Sequence, residues 1–230
     1  MEAIVLAGDI GEKPAHIPSD LPTSMAPVDG LPFLEYIVVD LIENGVDRIV
    51  MAVNHMKKSI MDYFGDEFRG VPIVYSVEDV PLKTGGAIKH AIWHCQEDRV
   101  IVIDANTLYK VPLKEMHKFA VSKDVPVVIA VKEMFNFSKY QRVVVNAEGI
   151  VTQYLEKEPC RRGYINGGVY SIARKALDKY PDIFSLEELC FPRLLKRKKL
   201  AAFISNTFFI DIGVAEDYAR AQKDLAGYHM

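Results

Sequence analysis

The residues able to do chemistry in this chain sit at the ends of apolar runs. Asp104-Ala105-Asn106 closes one such run, Glu156-Lys157 another and Asp211 a third, and Asn166-Gly167-Gly168 interrupts a fourth. Polar groups at strand ends are candidates for ligand contact, because open α/β sheets bind small molecules outside the carboxyl ends of their strands, although Asp211 by itself also reads as an acid at a helix N-terminus. The first strand feeds the same region. Residues 2–7 are apolar, Gly8 and Gly11 break the run, and a segment to residue 31 carries Pro14, Pro18, Pro22 and Pro27. Proline at that density permits neither helix nor central strand. A long loop there is expected to be functional, at the place where such folds take nucleotides. Thr84-Gly85-Gly86 opens a helix. Paired glycines let backbone approach a ligand, and a helix N-terminus favours anions; a tight turn would use the same residues.

Other groups read as structural. His90 and His94 share a helix face but lack a third ligand, and Trp93 and Cys95 beside them indicate packing. Ser185 with Glu188 reads as a helix cap. Lys196-Arg197-Lys198-Lys199 reads as a solvated helix end. Taken alone, Glu156-Lys157 reads as an exposed ion pair.

Composition narrows the class. The chain has 230 residues, half of them hydrophobic, and a net charge of -3, which gives no footprint for nucleic acid. No apolar run reaches the ~18 residues that suggest a membrane span. Cys95, Cys160 and Cys190 are odd in number and widely spaced, which argues against a zinc site or disulfides. With no signal peptide pattern at the start, a cytoplasmic location is expected.

Strands are expected at residues 2–7, 48–53, 71–76, 100–103 and 125–131, with helices at 32–45, 57–64, 87–94 and 113–121 between them. This alternation predicts a mostly parallel sheet flanked by helices. The pattern then changes to a hairpin at 142–145 and 150–155 and a glycine-interrupted strand at 164–172. Helices are expected at 173–179, 186–197 and 215–226, with a strand at 208–213. The expected fold is one α/β domain, 1–230, whose second half adds antiparallel strands.

Seven blocks in this order resemble the sugar-1-phosphate nucleotidyltransferases, most nearly the bacterial heptose-1-phosphate and mannose-1-phosphate guanylyltransferases. They are LAG-x-x-G, M-x-PV-x-G-x-PFLEY, Y-S-x-E-x-x-PL-x-TGGAI, EK at 156–157, INGGVY at 165–170, FSLE at 184–187 and DIG-x-x-EDY at 211–218. The resemblance implies a Rossmann-like sheet with an added antiparallel sugar-binding portion. It implies a reaction in which a sugar 1-phosphate attacks the α-phosphorus of a nucleoside triphosphate such as GTP and displaces pyrophosphate. It assigns nucleotide binding to Leu6, Gly8, Gly11, Glu78, Gly85 and Gly86, and catalytic phosphate contacts to Lys13 and Lys157. It assigns sugar binding to Glu156, Asn166 and Gly167, and Mg²⁺ to Asp211 and the position of Asn106.

Departures from the family pattern collect at the triphosphate and metal. Asp9 and Glu12 place carboxylates where the family has glycine and a hydroxyl, Lys13 replaces arginine, Thr23 replaces lysine, and Asn106 replaces an aspartate. An amide is a weaker magnesium ligand than a carboxylate. The expectation is a family member with weak or lost turnover that still binds a sugar phosphate or nucleotide sugar. Two alternatives stand beside it: an active guanylyltransferase with a remodelled phosphate loop, and a non-catalytic regulator or scaffold working as a homo-oligomer or with an active paralogue.

Overall fold

The computed structural model describes residues 1–8, 13–54 and 56–227. In chain order its first half holds β1 (Glu2–Leu6), β2 (Pro27–Val28), β3 (Leu31–Pro32), α1 (Phe33–Glu43), β4 (Arg48–Val53), α2 (Lys57–Phe64), β5 (Glu67–Phe68), β6 (Val71–Val77), α3 (Lys83–Ala91), β7 (Arg99–Asp104), β8 (Thr107–Tyr109) and α4 (Leu113–Lys123). The second half holds β9 (Val127–Phe137), β10 (Gln141–Val145), β11 (Val151–Lys157), β12 (Cys160–Ala173), α5 (Phe191–Lys196), β13 (Leu200–Ile204), β14 (Phe209–Asp211) and α6 (Ala215–Asp224).

Strands β7, β1, β4 and β6 lie side by side and parallel. All five residues of β1 are buried, because helices cover both faces of this part of the sheet. Ala3 and Val5 point into a core shared with α1, α2 and α4. Ile4 and Leu6 point the other way, into a core shared with α3 and α5. The α/β architecture, mostly parallel at its centre, is as expected, and antiparallel strands join in the second half.

Strand β12 joins the halves. One edge runs antiparallel to β9 along most of its length, with a shift of register between Asn166 and Tyr170. Its other edge pairs β10 through Tyr164 and Ile165, then β7 from Val169 to Ala173. Between those partners, at Asn166-Gly167-Gly168, that edge of the strand has no ladder partner, and the sheet splits. Gly168 has φ +73°, a left-handed conformation that suits glycine.

Several elements differ from expectation. The proline-rich segment is not structureless: Thr23–Met25 forms a 3₁₀ turn and β2 pairs β3. The strand β13 was not expected; its five residues follow a basic run and pair parallel to β9. The helix expected at 186–197 is a π turn over Leu186–Cys190 followed by α5, with Pro192 in the first turn of α5. Residues 174–177 form only a 3₁₀ turn. Ser185 does cap its turn, its hydroxyl accepting the Glu188 N–H at 3.1 Å. Thr84 is not the cap of α3, which starts at Lys83 without a side-chain cap.

Candidate active site

The split in the sheet opens into a cavity of about 170 Å³. β7 delivers Asp104, and the turn after it delivers Asn106. β14 pairs β8 so that Asp211 lies opposite Thr107, next to Asn106. β11 ends in Lys157, directly across from Gln141 of β10. The cavity therefore gathers Asp104, Asn106, Lys157, Asn166, Gly167 and Asp211 from four strands and a turn. Lys139, Tyr140 and Gln141 complete its wall. Tyr140-Gln141 stands where the resembling family has Tyr-Gly, and Lys139 is marked only by its place beside the cavity.

The electrostatics are those of carboxylates crowded at strand ends. Burial, then Glu187 and Asp211, push the Asp104 carboxyl up to about 8. Burial pushes Asp211 up to about 6, opposed by the Gly213 N–H, Lys157 and the Tyr140 hydroxyl. The Gly213 N–H donates to Asp211 Oδ1 at 2.9 Å. Lys157 makes no hydrogen bond or salt bridge among the described residues; it lines the cavity, where its charge acts on Asp211.

Asn166 is held from three directions. Its Nδ2 donates to the hydroxyls of Tyr154 at 3.0 Å and Tyr170 at 2.9 Å. Its Oδ1 accepts the Gly168 N–H at 3.1 Å. The Tyr154 hydroxyl in turn donates to Gln141 Oε1 at 2.8 Å. Both amide protons are thus engaged inside the protein, and Asn166 shapes the bulge. Gly167 is required by packing: a Cβ there would lie 2.4 Å from the Tyr109 ring. Glu156 is exposed on β11, and its charge reaches the Tyr154 hydroxyl.

The residues assigned to the nucleotide are placed differently. Leu6 ends β1 opposite Asp104, and Gly8 follows against Asn54, which a Cβ would approach to 3.0 Å. Gly11 lies outside the described residues, as do Asp9 and Glu12. Glu78 accepts the Leu82 N–H at 3.1 Å and braces the turn before α3.

Gly85 and Gly86 pack against another segment of the chain. Their N–H groups do not face an open ligand site; both donate to the Phe184 carbonyl, at 2.9 and 3.1 Å. The close approach that glycine permits is real, but the approaching group is the chain's own segment 182–184. Lys13 is likewise not brought to Lys157. Its ammonium lies among the carbonyls of Pro18, Ser19 and Leu21, which hold it within its own loop.

For a magnesium ion the cavity offers the Asp104 and Asp211 carboxylates and the neutral Asn106 amide. Mg²⁺ prefers hard anionic oxygens in near-octahedral array. Asp211 offers one carboxylate, already accepting a backbone N–H. Asn106 is neutral, and its Oδ1 accepts the Thr107 hydroxyl at 3.2 Å. Among the described residues no three His, Cys, Asp or Glu side chains are arranged to hold a metal.

A family model described as nucleotidyl transferase matches residues 2–227, nearly the whole chain. The chain belongs to the nucleotidyl transferase family. This nucleotidyl transferase is 38% identical, over 99% of its length and 100% of the relative's, to D-glycero-alpha-D-manno-heptose 1-phosphate guanylyltransferase of Aneurinibacillus thermoaerophilus. It is 36% identical to the enzyme of the same name from Campylobacter jejuni, over 95% of this chain and 97% of that one. The crystal structure of HddC from Yersinia pseudotuberculosis complexed with GMP-PN superposes with a TM-score of 0.86 at 29% identity, covering 97% of this chain and 99% of that one. Among the described residues, no helix of the transferase is long and apolar enough to cross a membrane.

Proposed function

We propose that this nucleotidyl transferase binds a sugar phosphate or nucleotide sugar in the split of its sheet and that nucleotidyl transfer itself is weak or lost. One pairing supports the reading best: Lys157 lines the cavity without a salt bridge among the described residues, while the position beside Asp211 is the neutral Asn106. Lys157 neutralises the phosphate of the incoming ester. Glu156 and the Gly167 backbone meet the sugar hydroxyls, and Asn166 keeps the bulge open from behind. The base is guanine and the sugar a heptose or mannose, by likeness to the guanylyltransferase relatives. Activity as a homo-oligomer or beside an active paralogue in the cytoplasm accords with a chain that binds without turning over.

A second reading has its own support. Identity of 38% over the full length of a heptose 1-phosphate guanylyltransferase favours an active enzyme with a remodelled phosphate loop and Mg²⁺ as cofactor. Isothermal titration of GTP, GDP-mannose and heptose 1-phosphate, with and without Mg²⁺, followed by a pyrophosphate-release assay, separates the two. The first predicts binding of the sugar phosphate or GDP-mannose and no pyrophosphate. Magnesium-dependent GTP binding with pyrophosphate release would establish the second.

A further inference from the structure

We propose that a second cavity, at the opposite end of β7 from Asp104, binds a small phosphate monoester. The six-residue strand β7 separates the two places, roughly 16 Å along a strand. The cavity has a volume of about 420 Å³ and is lined by Arg99, Arg197 and Lys199 together with Val125, Pro126 and Leu194.

Its charges are unbalanced. Arg99 lies partly buried at the first position of β7. Its Nη1 donates to the Ser171 carbonyl at 3.1 Å, and its Nη2 donates to the Val125 carbonyl at 2.5 Å. Both acceptors are neutral, and among the described residues no carboxylate lies within ion-pair distance of this guanidinium. Burial holds its pKa below the usual arginine value. Arg197 makes no side-chain hydrogen bond or ion pair among the described residues. Lys199 donates to the Asp124 carbonyl at 3.2 Å and lies 3.9 Å from Asp124 Oδ2, and that acid, the only one in the lining, is fully solvent-exposed. Clamping the ends of β9 and β12 explains the two carbonyl contacts of Arg99. It does not explain an open cavity with two further cations on its rim.

The chemistry indicates the ligand. A guanidinium presents a planar fork that matches phosphate, and lysine adds a point charge. Val125, Pro126 and Leu194 offer an apolar wall for the rest of the molecule. The ligand would sit against Ala173, at the end of the strand that carries the Asn166–Gly168 bulge. This site is independent of what the split in the sheet binds.

Phenyl phosphate is the probe, titrated into the ¹⁵N-labelled full chain with phenol as the uncharged control. Saturable shifts of the Val125, Ala173 and Leu194 amides are expected, with phenol giving none. The Arg197→Gln, Lys199→Gln double variant changes only exposed side chains, keeps their stems, and should bind about tenfold more weakly, as loss of about 1.4 kcal/mol implies. Lys157→Ala should leave these shifts unchanged. The proposal is overturned by any of four results: no saturable shift, equal shifts with phenol, undiminished affinity in the double variant, or loss of the shifts in Lys157→Ala. The last would assign the effect to the other cavity.

Discussion

The ring of Phe184 occupies the space in which Gly85 would carry a side chain, for a Cβ built there would lie 2.3 Å from it. The Phe184 carbonyl also accepts the Gly85 N–H. The helix start at α3 is therefore closed by segment 182–187, which Thr84 and Lys89 fasten further through Glu187 and Asp182. Two glycines that read as a ligand cradle belong to a helix-to-segment joint.

Gly85→Ala should accordingly lower stability by about 1–3 kcal/mol, as overpacking of a filled site does. Urea denaturation measures it. If stability were unchanged while nucleotide binding fell, the glycine would serve the ligand and the joint would be incidental.

Asn106→Asp places a carboxylate beside Asp211. The variant should bind GTP more tightly in Mg²⁺ than in EDTA, a difference the parent lacks. Where pyrophosphate release is detectable, it should rise by about 10²-fold, the order expected for one charge-stabilising group. Magnesium titrations on both proteins decide it; equal responses would mean that Asn106 is not at the metal position.

Asp40 is 6% exposed, and burial pushes its carboxyl up to about 6. A carboxyl whose pKa is raised by folding holds its proton more firmly in the native state. Its contribution is present below the unfolded value, about 3.9, and is lost as pH rises through about 6. Asp40→Asn should therefore stabilise the protein by about 1–3 kcal/mol at pH 8 and change it little near pH 4. Denaturation midpoints at the two pH values measure the difference; an equal effect at both would remove Asp40 as the source.

Lys83 opens α3 with φ +61°, a left-handed conformation that disfavours a residue bearing a Cβ. Its ammonium pairs with Glu188 at 3.0 Å, both side chains being more than half exposed. Release of about 1–2 kcal/mol of backbone strain should exceed the 0–1 kcal/mol of an exposed pair. Lys83→Gly should raise the melting temperature by roughly 2 °C for a chain of this size. A lower melting temperature would show that the ion pair outweighs the strain.

The strands β1, β4 and β7 were legible because burial on both faces leaves uninterrupted apolar runs. The place of Asp104, Asn106, Lys157 and Asp211 at strand ends was legible because each polar residue closes an apolar run. The five residues of β13 were not, since so short a run after Lys196–Lys199 has no periodicity of its own. Its strand character comes from the edge of β9, an element far away in the chain.

Residue types and their order determined the α/β architecture, the nucleotidyl transferase likeness and the strand ends at which the site forms. Tertiary structure alone decided which polar groups remain available there. The Asn166 amide is taken by Tyr154 and Tyr170, the Gly85 and Gly86 N–H groups by Phe184, and the Lys13 ammonium by carbonyls of its own loop. Lys157 lines the cavity without a salt bridge among the described residues. The reason is that a buried donor takes whatever acceptor packing brings within about 3 Å, and that partner is set by the fold, not by neighbours in sequence.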